Sequence, residues 1–179
     1  MNVLAFAASS SRSSINKALV TYAAGLLENG IIENVNAEVL DLNDYEMPLF
    51  SIDREQSDGI PEAAHEFYKK IGEADALVVS FAEHNGNYSA AYKNLFDWTS
   101  RIDQKVYQGK PAVLLATSPG PGGGRNVLGT AKGSAPHFAM EVKGDLSVPS
   151  FYDNFDLENG RVSNAEIGAQ LETALASLK

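Results

Sequence analysis

The amino-acid sequence predicts an α/β fold: a doubly wound, five-stranded parallel sheet with helices on both faces. Short apolar runs alternate with longer segments of helical periodicity along the chain, which is typical of successive β-α-β units. Three of the runs are apolar throughout, as strands buried on both faces should be. The 179 residues, 44% of them hydrophobic, suit one compact domain spanning residues 1–179. We expect the strand order 2-1-3-4-5, in which ligands bind beyond the carboxyl ends of the strands.

The N-terminal half supplies three strands and two helices. Val3–Ala8 is an apolar run that predicts the first strand, and Ser14–Leu27 repeats apolar residues on one helical face. Ala37–Leu42 predicts the second strand. Pro61–Glu73 predicts a helix, because its proline suits a first-turn position. Ala76–Phe81 is an apolar run that predicts the third strand. A long connection without a predicted element separates the second strand from the second helix.

The C-terminal half continues the alternation. Ser89–Thr99 carries aromatic and aliphatic residues at helical spacing, and Ala112–Thr117 is an apolar run that predicts the fourth strand. Asn126–Phe138 is helical in part, because two glycines and a proline weaken it. Glu141–Val148 predicts the last strand. Asn164–Leu178 closes the chain with leucines in helical register.

Composition excludes several classes of partner and site. The net charge of −9 gives an acidic surface, which repels nucleic acid and anionic lipid. The absence of cysteine excludes disulfides, thiolate catalysis and cysteine zinc sites. His65, His84 and His137 lack the spacing of zinc ligands, so no metal site is predicted. The apolar N-terminus fits a buried first strand better than a signal peptide, and no apolar run is long enough for a membrane span. We therefore expect a cytoplasmic protein that binds neither nucleic acid nor membranes.

Acidic residues are absent from two stretches, residues 1–27 and 104–140, although 23 of the 179 residues are acidic. These stretches carry basic residues, among them Arg12, Lys17 and Arg125. One interpretation is that they accommodate an anionic ligand. The other is chance combined with the burial of two strands. Composition alone leaves both interpretations open.

The loop between the first strand and the first helix, residues 9–16, reads Ser-Ser-Ser-Arg-Ser-Ser-Ile-Asn. Free N–H groups at a helix start, the helix dipole and small hydroxyls together form an anion site. The alternative is a serine-rich turn in which Ser13 or Ser14 only caps the helix. The loop has neither a Gly-Lys-Ser/Thr ending nor a Gly-x-Gly-x-x-Gly pattern. That absence favours a mononucleotide as the ligand.

Two further loops follow the third and fourth strands, at the same sheet edge. The loop Ala82–Tyr88 bends at Gly86, and its polar residues suit the rim of a flat heteroaromatic ring. The glycine-rich loop Ser118–Arg125 offers backbone N–H donors, and its arginine is a candidate contact for a nucleotide phosphate. The alternatives are a solvated histidine at position 84, a helix-end carboxylate at Glu83 and a flexible glycine loop without a ligand. No serine-hydrolase elbow or His-Glu-x-x-His motif is present, so the chemistry requires a borrowed cofactor.

Four motifs occur in order between residue 1 and about residue 140. They are Ala8-Ser9-Ser10-Ser11 with Ser14-Ile15-Asn16, Ala82-Glu83-His84-Asn85-Gly86-Asn87, Lys93-Asn94-Leu95-Phe96-Asp97-Trp98-Thr99-Ser100-Arg101, and Ser118-Pro119-Gly120-Pro121-Gly122-Gly123-Gly124. Together they resemble the NADPH-dependent FMN reductase family of flavodoxin-like proteins. The chain departs from the family pattern at three positions, with Ala8 for glycine, Ala82 for proline and Asn87 for serine.

The resemblance implies that two groups of residues hold FMN. Its phosphate would be held by Ser9, Ser11, Ser14, Ile15 and Asn16. Its isoalloxazine would be bordered on one edge by Glu83, His84, Asn85 and Gly86, and on the other by Ser118, Pro119, Gly120 and Gly123. No catalytic acid or base is implied, because NADPH or NADH would pass hydride directly to the flavin.

The resemblance also implies an acceptor and an assembly. The acceptor would be a quinone, an azo compound, a metal ion or free flavin. The protein would be a homodimer or homotetramer with the flavin near the interface, where Phe96 and Trp98 would lie unless they belong to the core. Two alternatives remain at this point: an electron-carrier flavodoxin that depends on a separate reductase, and a non-catalytic binding module without flavin.

Overall fold

The computed structural model describes residues 1–179 and contains a central five-stranded parallel sheet. Its strands are β1 (Asn2–Ala8), β2 (Asn36–Leu40), β3 (Ala76–Phe81), β4 (Lys110–Thr117) and β5 (Met140–Val148). Their spatial order is 2-1-3-4-5 and every neighbouring pair is parallel. The predicted sheet is therefore confirmed. The second strand ends at Leu40, two residues earlier than predicted, because the chain turns at Leu42–Tyr45 in a 3₁₀ turn.

Seven helices surround the sheet. They are α1 (Ile15–Leu26), α2 (Ile52–Asp58), α3 (Glu62–Glu73), α4 (Ala90–Ile102), α5 (Arg125–Ser134), α6 (Phe151–Asn154) and α7 (Ala165–Ala176). A π-helical turn, Leu27–Ile31, extends α1. The prediction that Asn126–Phe138 is helical only in part is confirmed, because α5 ends at Ser134 and gives way to the 3₁₀ turn Ala135–Phe138 around Pro136. No helix is both long enough and apolar enough to cross a bilayer.

The helices cover both faces of the sheet. Phe6 of β1 points to the face where α3, α4 and α5 pack, and it meets Phe67 edge-on with ring centroids 5.4 Å apart. Val3 and Ala5 point to the opposite face, where α1 and α7 contribute Leu19 and Leu171. Because successive side chains of a strand alternate between faces, burial on both explains why the central parts of β1, β3 and β4 are mostly apolar.

The connection between β2 and α3 contains α2, which was not predicted, and is tied to α4. Asn94 accepts a hydrogen bond from the Phe50 N–H (2.8 Å) and donates one to the Pro48 carbonyl (3.1 Å). The Trp98 Nε1–H also donates to the Pro48 carbonyl, at 2.7 Å. Trp98 is buried in the core, whereas Phe96 is only half-buried. The core alternative thus holds for Trp98.

Two short hairpins lie outside the main sheet and were not predicted. The first pairs Glu83–His84 with Asn87–Tyr88, and the second pairs Phe155–Asp156 with Arg161–Val162. The first hairpin directly follows β3, so it stands at the carboxyl edge of the sheet. The second follows α6 and packs beside α1, where Tyr22 meets Phe155 edge-on.

Candidate functional site

Three loops meet at the carboxyl edge of the sheet, and the side-chain amide of Asn16 joins them. This residue is only 3% exposed. Its Nδ2 donates to the Thr117 carbonyl (3.2 Å), and its Oδ1 accepts from the Thr117 N–H (3.1 Å) and the Ser80 hydroxyl (2.8 Å). This one amide therefore ties the start of α1 to the carboxyl ends of β3 and β4, which are neighbouring strands. Asn16 was predicted as a phosphate contact; its side chain bonds to the protein through its oxygen and one N–H, and the contact with a phosphate stays a prediction.

The loop between β1 and α1 combines a helix cap with free donors. The Ser14 hydroxyl accepts from the Lys17 N–H at 3.2 Å and caps α1, as the capping alternative held. The cap does not use up the loop. Several backbone N–H groups donate to no protein atom, namely those of Ser10, Arg12, Ser13, Ile15 and Asn16. Free N–H groups at the start of a 12-residue helix favour an anion.

Of the two basic residues in or next to this loop, Lys17 is neutralised by an acidic residue and Arg12 is not. Lys17 forms an ion pair with Asp41, which follows β2. The hydrogen bond from Lys17, together with one from the Asn43 N–H, lowers the pKa of Asp41 to about 2. Arg12 is exposed and makes no hydrogen bond or ion pair. The free positive charge of this loop therefore belongs to Arg12.

The loop after β3 is a two-residue hairpin turn. Asn85 and Gly86 have φ angles of 52° and 78°, and His84 pairs with Asn87 across the turn. Two positive φ values in a two-residue hairpin define a type I′ turn, for which Asn-Gly is the favoured sequence. The side chains of His84 and Asn85 are exposed at the tip of this hairpin.

Glu83 links this hairpin to the start of α5. Its Oε2 accepts from the N–H groups of Asn126 and Val127, both at 3.0 Å. Gly124, at the N-cap position of α5, has no side chain to perform this role. The carboxylate therefore caps the helix, as the helix-end alternative proposed, and holds the second loop against the third.

The glycine loop after β4 is packed against the chain that follows β5. Gly123 has a φ angle of 60°, and a Cβ placed there would lie 2.4 Å from the Ser147 Oγ and 3.0 Å from the Pro149 nitrogen. The Ser150 N–H donates to the Gly120 carbonyl (2.9 Å), and the Phe151 N–H donates to the Ser118 carbonyl (3.0 Å). Packing thus requires glycine at position 123.

The same loop keeps donors available, but its arginine is used locally. The N–H groups of Gly120, Gly122 and Gly124 donate to no protein atom. Arg125 folds back, and its guanidinium donates to the carbonyls of Gly122 (3.2 Å) and Pro121 (3.3 Å). The expectation that Arg125 faces a nucleotide phosphate is therefore not supported by its position.

Three buried hydroxyl residues of the site were missed by the sequence reasoning. Ser80 and Thr117 hold Asn16 and its neighbours, and the Thr117 hydroxyl also donates to the Val148 carbonyl at 2.7 Å. Ser89 caps α4 and donates to the Ala8 carbonyl at the end of β1, at 2.8 Å. A serine within an otherwise apolar strand was the available signal for Ser80.

All residues predicted to border the cofactor lie on these three loops or at the start of α1. They are Ser9, Ser11, Ser14, Ile15, Asn16, Glu83, His84, Asn85, Gly86, Ser118, Pro119, Gly120 and Gly123. Asn16 and Glu83 have side chains committed to joining loops, whereas His84 and Asn85 are exposed. The contacts of these residues with a ligand stay predictions.

Comparison with known proteins gives consistent similarities. A model of the NADPH-dependent FMN reductase family matches residues 1–153. The chain is 30% identical over 183 residues to a probable NADPH:quinone oxidoreductase 1 of Oryza sativa subsp. japonica, covering 100% of this chain and 90% of that protein. It is 32% identical to an NAD(P)H-dependent FMN reductase of Pseudomonas aeruginosa, over 67% of this chain and 61% of that protein.

Solved structures share the fold. FerB, a flavoenzyme NAD(P)H:(acceptor) oxidoreductase from Paracoccus denitrificans, has a TM-score of 0.76 at 23% identity, covering 99% of this chain and 94% of that one. An FMN-dependent NADH-azoreductase of Bacillus anthracis in complex with FMN has a TM-score of 0.66 at 13% identity, covering 99% of each chain. These likenesses establish the flavodoxin-like architecture of the chain.

Proposed function

This chain belongs to the NADPH-dependent FMN reductase family, and from that premise we propose that it is an NAD(P)H-dependent oxidoreductase with FMN as its cofactor. We propose a quinone as the first acceptor to test. Relatives named for NADPH:quinone and 2-hydroxy-1,4-benzoquinone reduction support this choice. Azo compounds, metal ions and free flavin are the further acceptors that we propose to test.

The free N–H groups at the start of α1 are the observation that carries the proposal. A phosphate dianion requires several donors and no adjacent carboxylate, and the loop 9–16 contains no acidic residue. The hydroxyls of Ser9 and Ser14 accept internal N–H bonds, which leaves their own O–H groups free to donate. These groups fit a phosphate monoester such as that of FMN.

The other two loops fit the ring system. When bound, FMN supplies the redox chemistry, because it takes two electrons from NAD(P)H and delivers them to the acceptor. The exposed side chains of His84 and Asn85 and the free N–H of Gly120 would border the ring. Backbone donors near the ring stabilise the negative charge of its reduced form.

The protein contributes position more than acid–base chemistry. Asn16 and Glu83 tie the three loops together, so the donors are held in place before the ligand arrives. Such preorganisation lowers the cost of binding and orients the reacting faces. We therefore expect no side chain of this chain to act as an essential proton donor.

We also propose the assembly and the cellular location. The half-buried Phe96 on α4 stacks against Tyr107, with ring centroids 5.9 Å apart, and is the residue at which a second subunit would pack. A homodimer or homotetramer is the assembly that we expect light scattering to detect. A chain without cysteine fits the cytoplasm, where disulfides are rare, and we propose that location.

The phosphate site is tested by Ser14→Asp. Aspartate still caps α1, because it accepts the Lys17 N–H, but it sets a negative charge beside the phosphate. We expect an unchanged melting temperature and an FMN affinity lowered about tenfold or more. The matched control is Ser51→Asp, since Ser51 caps α2 through the Arg54 N–H at 3.2 Å. If Ser14→Asp binds FMN as tightly as the parent does, the loop does not hold the FMN phosphate.

Turnover tests the activity. The FMN-loaded chain, NADPH and a benzoquinone are combined with no second protein, and NADPH oxidation is followed by absorbance. We expect continuous, quinone-dependent oxidation. If a separate reductase has to be added before quinone is reduced, the carrier alternative replaces the reductase proposal.

A further inference from the structure

A groove runs along α1 and begins at the loop between β1 and α1. It encloses about 710 Å³. The helix forms one wall, from Ile15 to Asn29. The chain from α6 into the second hairpin forms the other, through Tyr152 and Leu157. Arg12 and Ser13 stand at the end nearest the carboxyl edge of the sheet.

The groove is free of acidic side chains. None of its 15 lining residues is Asp or Glu, although the whole chain carries a net charge of −9. Two lining residues are basic, Arg12 and Lys17, and Lys17 is already paired with Asp41. Arg12 is left without a protein partner. An anionic group at this end of the groove would therefore meet a free guanidinium.

The rest of the groove suits a flat, partly polar ring. Tyr152 and Leu157, on the wall formed by α6 and the second hairpin, are 61% and 56% exposed and so offer apolar surface to a ligand. Opposite them, Tyr22 lines the helix wall. The hydroxyls of Tyr22 and Tyr152 and the amide of Asn29 have no hydrogen-bond partner in the protein. A ring with polar edges could use both the apolar surfaces and these groups.

We propose that this groove binds the adenosine half of NADPH, with Arg12 on the 2′-phosphate and Tyr152 against the adenine. The proposal rests on the proposed function, because it assumes that the cosubstrate is a nicotinamide nucleotide. The groove opens at the same loop that would hold the FMN phosphate. A dinucleotide with its adenosine half along α1 thus has its nicotinamide half at the carboxyl edge, on the flavin side. Arg12 makes the chain prefer NADPH to NADH.

The first test is direct binding to the FMN-loaded protein. Adenosine 2′,5′-bisphosphate is titrated by calorimetry into the parent and into Arg12→Gln. We expect the variant to bind it about tenfold more weakly, because one charge-assisted contact is lost. Arg161→Gln is the matched control, since Arg161 is exposed on the second hairpin, beside the groove, but does not line it. That control should bind like the parent.

Kinetics separate this proposal from a role of Arg12 at the flavin phosphate. Arg12→Gln should raise KM for NADPH about tenfold and leave KM for NADH and the FMN affinity unchanged. Tyr152→Ala should weaken the binding of adenosine 2′,5′-bisphosphate and of 5′-AMP to the same extent, because both contain the adenine. Weaker FMN binding in Arg12→Gln, or equal losses for NADPH and NADH, would overturn the proposal.

A parent protein that does not bind adenosine 2′,5′-bisphosphate would also overturn it. The proposed function would survive that result as long as NADPH still reduces the bound flavin. Conversely, a chain that binds the bisphosphate through Arg12 but never oxidises NADPH would retain the groove and lose the reductase activity.

Discussion

Asn16 is the residue on which the meeting of the three loops depends. Its buried amide bonds to Ser80 and Thr117, which lie 64 and 101 residues further along the chain. Asn16→Ala leaves the Thr117 N–H and the Ser80 hydroxyl without their acceptor, so we expect the free energy of unfolding to fall by about 2–4 kcal/mol. FMN affinity should fall as well. Asn36→Ala is the control, because the Asn36 side chain is exposed, and urea unfolding compares the two. Equal stability in both variants would contradict this role.

Asp41 is a residue whose protonation should lower the free energy of unfolding at acidic pH. Lys17 and the Asn43 N–H lower its pKa from 3.8 to about 2. A carboxylate with a lowered pKa stabilises the fold above its unfolded pKa, and this contribution is lost as the pH falls from about 4 to about 2. We expect no more than about 1 kcal/mol, because the pair is partly exposed. In Lys17→Met the deficit in unfolding free energy should shrink over that pH range. A deficit that stays constant down to pH 2 would exclude the ion pair as its cause.

At the scale of elements, the sequence predicted the strands, whose positions follow from burial. It missed the elements whose positions depend on contacts between distant parts of the chain. The sheet strands agree with the prediction to within two residues, because runs dominated by apolar residues indicate burial. Helix α2 was missed, since its apolar residue Ile52 is exposed and its position depends on Asn94 and Trp98 of a distant helix. The first hairpin could have been predicted from Asn85-Gly86. The linkage through Asn16 could not, because its partners are remote in sequence.

The glycine loop offers a test at the same scale. Gly123→Ala should cost about 2 kcal/mol or more, because its Cβ would overlap Ser147 and its φ is positive. Gly122→Ala is the control: nothing lies within 4 Å of a Cβ there, and we expect a change of no more than about 1 kcal/mol. Adding Ser147→Ala to Gly123→Ala should restore part of the loss. Thermal melts measure all three, and equal effects of Gly122→Ala and Gly123→Ala would refute the packing explanation.

At the scale of the whole molecule, the two hydrophobic core layers determine how the chain unfolds, and the distribution of charge affects how it binds an anionic nucleotide. Both hydrophobic layers pack on one sheet. If the chain is a single domain, as we expect, fluorescence and circular dichroism should therefore report the same single unfolding transition. The chain is acidic overall, yet residues 1–27 and 104–140 carry no acid. An anionic nucleotide is repelled by the molecule and attracted locally by Arg12. Its association rate should therefore depend on ionic strength.

The central claim is that the chain itself brings NAD(P)H to bound FMN, and anaerobic stopped-flow absorbance tests it most directly. The FMN-loaded protein is mixed with excess NADPH, and the flavin band is followed with no acceptor and no second protein present. We predict that the band bleaches in a single turnover and that a small quinone restores it. Bound FMN that stays oxidised for minutes in excess NADPH, and equally in excess NADH, would contradict the account.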